Sequence, residues 1–263
     1  MLESVRYIGM ALALPAMLTC SPITNLVLSD QDEIALGEKL KTQMLADTVH
    51  YPHYQGSNVA IAYINTIGMQ LAGAQRDRDD IPFTFTIIDD TAINAFSLPG
   101  GPVFIYKGLL KAANSGAEVA GVIAHEIAHV TMRHGAARLV QSYGVSFLKQ
   151  IISGNDLSVT IMIAGLLENP LFLKFSRDDE YQADSCGVLY SMAAQYNPWG
   201  LRNFFQTLFS TYGDSPMEVL SDRSNSSERI AHVEGIINKI PGVPPNDTTW
   251  MNLPEYAAIK AQL

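Results

Sequence analysis

Apolar residues recur at intervals of three and four along much of the chain, which is the pattern of helices that bury one face. This pattern predicts helices over residues 30–46, 57–74, 107–113, 116–134, 136–153, 177–195, 198–211 and 227–239. Clear alternation of apolar and polar residues is confined to residues 83–89, which predicts a strand. Two short β-prone runs flank Pro99-Gly100-Gly101-Pro102, which predicts a turn or hairpin. We therefore expect an α+β fold that is mainly helical, with a small sheet or hairpin.

The length of the chain favours one compact domain. It has 263 residues, and no internal repeat or low-complexity linker interrupts the periodic segments. Proline residues between positions 241 and 245 mark a loop before a last short segment that ends at Leu263. We expect a single domain over residues 21–263, preceded by a separate segment over residues 1–20.

The first 20 residues have the pattern of a bacterial export signal. Arg6 precedes an apolar run from Ile8 to Leu18, which is too short to span a membrane. Met17-Leu18-Thr19-Cys20 resembles a lipobox, although Gly, Ala or Ser is usual where Thr19 stands. We favour acylation of Cys20, which would hold the protein at a membrane surface, over a plain secretory signal or an uncleaved anchor. The expected location is the bacterial periplasm, anchored to the outer membrane; a soluble periplasmic or secreted protein is the alternative.

Charge and cysteine content narrow the possible partners. The chain has 17 Lys and Arg residues and 26 Asp and Glu residues, so its net charge is 17 − 26 = −9. This negative charge argues against nucleic acid as a partner. With Cys20 acylated, only Cys186 remains, so no intrachain disulfide can form. The apolar segment 140–175 contains no stretch long enough to cross a membrane. It is compatible with packing in the core, or with a helical hairpin over the active site or against lipid.

His125-Glu126-Ile127-Ala128-His129 is the segment that indicates chemistry. On a helix, this spacing sets His125 and His129 one turn apart, directed at a single metal ion. Zinc lowers the pKa of a bound water, and Glu126 is placed to accept its proton during attack on a peptide carbonyl. The motif therefore predicts a catalytic zinc site with Glu126 as the general base.

A catalytic zinc site of this kind needs a third protein ligand. The metzincin pattern would require His at position 135, which is Gly135, and on a continuous helix His134 points about 180° away from His125. A carboxylate from a later helix is then needed, and Glu180 is the best candidate, with Glu168 as a fallback. Asp184, one turn beyond Glu180, could hold the outer nitrogen of a zinc-bound His. The alternative for both carboxylates is an exposed acidic helix start.

These motifs resemble the gluzincin metallopeptidases of the HtpX and CAAX prenyl endopeptidase family, especially their soluble periplasmic lipoprotein branch, over roughly residues 30–260. The resemblance rests on the segments 124–130, 180–184 and 94–105. It implies an HExxH gluzincin-type peptidase domain that binds one Zn²⁺ ion per chain through His125, His129 and Glu180. It also implies that Glu126 is the base and that Asp184 supports a ligand. Because only a short segment follows residue 245, we do not expect the helical-repeat domain that some relatives carry.

The predicted hairpin suggests how an extended substrate is held. An exposed strand edge can pair with a polypeptide through main-chain hydrogen bonds, without requiring a particular sequence. The resemblance implies this role for the segment 94–105, with Asn94, Gly100, Gly101 and Val103 as the substrate-binding candidates. An ordinary structural hairpin is the alternative.

One segment departs from the family pattern. Family members often carry His-Pro six residues before an Arg, and that Arg corresponds to Arg229, whereas Arg223-Ser224 replaces the His-Pro pair. Regulation by such a His closing over the metal is therefore in doubt. Arg223 or Arg229 could instead stabilise the oxyanion of the reaction, with a salt-bridge role as the alternative for Arg229.

We expect a zinc-dependent metalloendopeptidase of the bacterial cell envelope that acts on misfolded or outer-membrane proteins. Its partners would be unfolded or extended polypeptides. The alternative is a zinc-stabilised, chaperone-like binding module that holds unfolded chains without cleaving them. Glu126 favours the enzyme, because only a catalytic site needs a base beside an open metal position.

Overall fold

The computed structural model describes residues 28–154, 156–168, 175–213, 226–247 and 253–263. Its elements are, in order, α1 (Asp30–Ala46), α2 (Asn58–Ala74), β1 (Thr84–Ile88), β2 (Ala95–Ser97), β3 (Pro102–Tyr106), α3 (Lys107–Ala112), α4 (Gly116–Thr131), α5 (His134–Tyr143), α6 (Val145–Ile152), α7 (Asp156–Glu168), α8 (Arg177–Ala193), α9 (Gly200–Tyr212), α10 (Ser226–Ile237) and α11 (Leu253–Lys260). The expected export signal with Cys20, and Arg223-Ser224, lie outside the described residues. The described chain is mainly helical with one small sheet, as the sequence predicts.

Serine residues begin four of the predicted helices. Ser29 and Ser176 each form a capping box with the aspartate three residues later. The side chains of Ser57 and Ser115 each accept a hydrogen bond from a first-turn amide. The helices predicted over residues 30–46, 57–74, 107–113, 177–195, 198–211 and 227–239 are confirmed, with ends within two residues of those expected.

For two predicted helices, the structure has a turn where the prediction continues the helix. The helix predicted to reach residue 134 ends at Thr131, because Arg133 adopts a left-handed conformation with a φ of 62° and α5 begins at His134. The helix predicted over residues 136–153 is divided at Gly144, whose φ of 76° favours glycine. The first difference changes the direction of the His134 side chain.

The sheet contains three strands in the order β1-β3-β2. The strand predicted over residues 83–89 is β1, and it pairs with β3 in parallel, with Thr84 opposite Pro102. The predicted hairpin is also confirmed, because β2 and β3 pair antiparallel across the turn at Gly100 and Gly101. The central strand contributes to two apolar clusters: Val103 and Ile105 belong to one, and Phe104 belongs to the other.

The larger cluster surrounds α4, every residue of which is buried. This helix packs against α2, α8 and α9. At Gly121 and Gly187 the neighbouring backbones come so close that an added Cβ would lie 2.3 Å from the Leu201 nitrogen and 3.1 Å from the His125 nitrogen, respectively. Close contact of α8 with α4 places the two predicted ligand segments side by side.

The smaller cluster includes several residues of the apolar segment 140–175. Helices α6 and α7 pack against α1, and Val159, Met162 and Ile163 are buried there. Of the three placements compatible with the sequence, packing in the core is the one observed for these residues. In the part of the chain that the structure covers, we find no helix with both the length and the apolar character needed to cross a bilayer.

Candidate metal centre

Two helices bring the predicted ligand atoms together. Helix α4 supplies His125 and His129, and α8 supplies Glu180, with all three side chains buried. The two imidazole Nε2 atoms are 3.0 Å apart. Glu180 places Oε2 3.4 Å from Nε2 of His125 and Oε1 3.6 Å from Nε2 of His129.

These separations fit a tetrahedral zinc ion. With metal-to-ligand distances of about 2.0–2.1 Å, the ligand atoms of a tetrahedral site lie about 3.3–3.4 Å from one another. The two Nε2 atoms are 3.0 Å apart, and each lies 3.4 or 3.6 Å from a different oxygen of Glu180, so all three separations are close to this value. Two imidazoles and one carboxylate are also a common donor set of catalytic zinc sites. The residues therefore fit the metal that the sequence motif implies.

Behind the ligands, Asp184 and Arg229 form a buried ion pair. Asp184 Oδ1 lies 3.0 Å from Nδ1 of His125, on the side of the ring away from the ligand atoms. Arg229 donates from Nε and Nη2 to both oxygens of Asp184, at 2.8 and 2.6 Å. Burial alone would raise the pKa of Asp184, but the charges and hydrogen bonds of Arg229 and His125 lower it to about 2. Asp184 thus lies where the sequence places it, as an ionised carboxylate.

Arg229 also contacts the ligand carboxylate and an aromatic ring. Besides its two bonds to Asp184, its Nη1 lies 3.0 Å from Oε2 of Glu180. Its guanidinium packs over the ring of Phe205, 4.3 Å from the ring centre. All three nitrogens are thereby directed at buried carboxylates. The ion pairs of the salt-bridge alternative are observed, and the oxyanion role of Arg229 stays a prediction.

Glu126 lies between the ligands and the sheet. Its Oε2 accepts a hydrogen bond of 3.1 Å from the Ser97 hydroxyl, at the end of β2. Burial raises the pKa of the Glu126 carboxyl to about 7. The sequence motifs do not identify Ser97 as a partner of Glu126, although Ser97 lies within the segment 94–105 on which the resemblance rests. The base and the sheet are thus in direct contact.

The substrate-binding candidates need a correction. Val103 lies on β3, the central strand, and both edges of that strand are already paired. Gly100 and Gly101 form the turn, and a Cβ on Gly100 would lie 2.4 Å from the Glu33 carbonyl oxygen. Asn94 uses its carbonyl to accept from the Tyr106 amide. Among the described strands, the edge strand beside the ligands is β2, and none of the four candidates belongs to it.

The site is closed to solvent. Glu126 is 3% exposed, and the three ligands are less exposed than that. The ring of Phe175 stacks on His129, with the ring centres 4.1 Å apart. Glu168, the fallback ligand, has a side chain outside the described residues.

The raised pKa of Glu126 predicts an effect on the stability of the zinc-free protein. The pKa rises from an ordinary 4.5 to about 7, so the folded chain binds the proton more tightly than the unfolded chain. Stability is then lost as the pH rises from 4.5 through 7. Glu126→Gln cannot ionise, and in urea unfolding with chelator it should be more stable than wild type at pH 8, by on the order of 3 kcal/mol. Near pH 5 the two should be nearly equal; equal stability at pH 8 would contradict the assigned burial of the charge.

Comparison with known proteins relates this site to a family of peptidases. The sequence model described as Peptidase family M48 matches residues 60–237. The chain is 27% identical over 231 residues to the beta-barrel assembly-enhancing protease of Yersinia pestis, covering 82% of this chain and 46% of that protein. It is 29% identical over 158 residues to the mitochondrial metalloendopeptidase OMA1 of Schizosaccharomyces pombe, covering 59% and 47%. It is 26% identical over 156 residues to the metalloprotease YcaL of Escherichia coli K12, covering 58% and 61%. The chain thus spans roughly half of the length of these relatives.

Proposed function

The chain belongs to peptidase family M48, and we propose that it is a metalloendopeptidase that hydrolyses peptide bonds with one zinc ion held by His125, His129 and Glu180. The observation that carries the proposal is the convergence of the two imidazole Nε2 atoms and the Glu180 carboxylate, whose separations of 3.0, 3.4 and 3.6 Å are close to the edge of a tetrahedral site. A carboxylate of the same helix, Glu126, stands next to His125 in the sequence and accepts a hydrogen bond from Ser97, which places a candidate general base beside the ligands.

In the proposed reaction, the chain's own residues move one proton and hold the ligands in place. When bound, zinc supplies a Lewis acid that activates water and polarises the peptide carbonyl. Glu126 accepts the proton of the attacking water and delivers it to the departing amine. Asp184 accepts from Nδ1 of His125, which leaves Nε2 of that ring free to bind the metal. Arg229 keeps Asp184 ionised and fixes the carboxylate of Glu180.

For the substrate, we propose an extended or unfolded polypeptide that lies along β2. This strand has no partner on its outer side among the described strands, and it ends at Ser97, whose hydroxyl contacts the base. Main-chain pairing at such an edge is tolerant of sequence. A relative is named for enhancing beta-barrel assembly, which supports quality control of misfolded or outer-membrane proteins as the role. Binding of unfolded chains without cleavage is the second candidate, since the same edge would serve it.

We expect cleavage to depend on zinc. The purified chain should cut an alkylated, permanently unfolded protein, lose this activity after removal of the metal by a chelator, and recover it with one equivalent of Zn²⁺. New peptide termini detected by mass spectrometry would measure the cleavage. If the zinc-loaded chain binds the unfolded protein but produces no new termini, the binding-module alternative replaces the enzyme.

For location, we propose the bacterial periplasm, with the chain tethered to the outer membrane by a lipid on Cys20. The support is the sequence of the first 20 residues, with its apolar run and its lipobox-like end. Mass spectrometry of the protein from its native host should show an acylated N-terminal Cys20. An intact Met1 terminus without a lipid would contradict the proposal, and a cleaved but unacylated terminus would favour the soluble alternative.

A further inference from the structure

We propose that His134 and Gln182 are positioning residues that hold the His129 imidazole in the tautomer able to bind zinc. The inference rests on the proposed zinc site. Sequence reasoning directed His134 away from His125 on a continuous helix. Because α4 ends at Thr131 and Arg133 turns the chain, His134 instead returns to the site as the first residue of α5.

The three side chains form a continuous chain of contacts. Nδ1 of His134 lies 2.9 Å from Nδ1 of His129, and both side chains are buried. Nε2 of His134 lies 3.0 Å from Oε1 of Gln182, on α8. Asp179 Oδ1 is a second acceptor near the same Nε2 atom, at 3.5 Å. His129 is thus supported on the side away from its Nε2, just as His125 is supported by Asp184.

The direction of each hydrogen bond follows from the chemistry of the last acceptor. An amide oxygen and a carboxylate can only accept, so Nε2 of His134 carries the proton. In a neutral His134 ring, Nδ1 is then the acceptor, and the facing Nδ1 of His129 must donate. A His129 ring with its proton on Nδ1 has its lone pair on Nε2, the atom that lies 3.0 Å from Nε2 of His125. Gln182 therefore sets which nitrogen of His129 is available to the metal.

An ionic cluster around the buried Glu33 holds the turn that places His134. Arg133 donates to Glu33 at 2.5 Å and also pairs with Asp30, both on α1. Arg78 donates to Glu33 and to the Val130 carbonyl oxygen, each at 2.9 Å. These bonds stabilise the left-handed conformation at Arg133 by tying the end of α4 to α1. The position of His134 is therefore built into the fold, and does not depend on a bound metal.

The test compares two substitutions of His134 in the full chain by zinc affinity, measured in competition with a chromophoric chelator. His134→Phe keeps a ring but removes the acceptor, and zinc affinity should fall about 10- to 100-fold, the usual cost of losing such a support. His134→Asn can place its Oδ1 near the former Nδ1, and should stay within about threefold of wild type. Gln182→Met keeps the chain length but removes the last acceptor, and should weaken binding several-fold.

Each outcome has a defined meaning. Thermal unfolding of the zinc-free proteins, followed by circular dichroism, identifies a variant that is misfolded, and affinities are compared among folded variants. Equal weakening in the Phe and Asn variants would indicate packing and overturn the inference, as would unchanged affinity in His134→Phe. Unchanged affinity in Gln182→Met would overturn the role of Gln182 and leave Asp179 as the last acceptor. If the wild type itself does not bind one zinc ion, the proposed function fails. Wild-type binding with unaffected variants would overturn only this inference.

Discussion

Replacing Glu126 with Gln is expected to lower kcat by about 10²- to 10⁴-fold, with zinc content unchanged. The amide has nearly the shape of the carboxylate, but it cannot accept the proton of the attacking water. It can still interact with the Ser97 hydroxyl, which lies 3.1 Å from Oε2 in the wild type. The measurement is the rate of peptide-bond cleavage in an unfolded protein, at matched zinc content determined by atomic absorption.

Glu118→Gln is a matched control for this substitution. Glu118 lies on the same helix, α4, and is also buried. Its carboxylate accepts from the Asn114 amide and from Thr207, remote from the ligands. We expect this variant to retain wild-type turnover when folded. If Glu126→Gln cleaved as fast as the control, Glu126 would not be the base, and the proposed reaction would have to be abandoned.

Replacing Arg229 with Met is expected to cost about 3–5 kcal/mol of unfolding free energy. Arg229 is 3% exposed, and its guanidinium faces Asp184 and Glu180, which are fully buried. Its removal leaves two carboxylates without their compensating charge in a region that excludes water. The depressed pKa of Asp184 should rise as a result, since burial then dominates. Urea unfolding of the zinc-free proteins measures the stability.

Arg202→Met provides the comparison for a surface ion pair. Arg202 donates from Nε to Glu234 at 2.7 Å, but both side chains are partly exposed. Such a pair contributes about 0–1 kcal/mol, so this variant should be nearly as stable as wild type. A similar, small loss in both variants would show that the Arg229 cluster is not the desolvated network described above. A large loss in Arg229→Met alone is the expected result.

The ligand set could be predicted from sequence because it depends on short spacings within single helices. His125 and His129 are one turn apart on α4, and Glu180 and Asp184 are one turn apart on α8, so each pair shares a face whatever the rest of the fold does. The serine caps at Ser115 and Ser176 mark where both helices begin. The main-chain geometry of each helix therefore determines how most of the site residues are arranged.

The parts that could not be predicted depend on contacts between distant segments. Arg133 is not glycine, and its left-handed conformation is stabilised by Asp30 and Glu33, about 100 residues earlier. The pairing of Arg133 with α1 cannot be read from the local sequence, so a helix that continues to His134 is the simplest interpretation. That interpretation does not predict the contact between His134 and His129. The strand order also depends on distant segments. The sequence predicts the hairpin, but it does not predict the parallel pairing of β1 with β3, which places Val103 on the central strand and not at an edge.

Helix α7 was missed for a different reason. It is apolar on most of its positions, so that no face is distinguished by periodicity. Its burial is nevertheless one-sided where described: Val159 and Met162 are buried against the smaller cluster, while Leu157 and Ile161 are exposed. An amphipathic pattern defined by residue type cannot distinguish these two faces, because both are apolar.

The central claim is that one zinc ion lies between His125, His129 and Glu180 with a position left open for water. Anomalous diffraction at the zinc edge, from crystals of the zinc-loaded chain, tests it most directly. We predict one peak about 2.0–2.2 Å from Nε2 of both histidines and from the Glu180 carboxylate, with water as the remaining ligand. A peak elsewhere, or a fourth protein side chain that closes the site, would contradict the account.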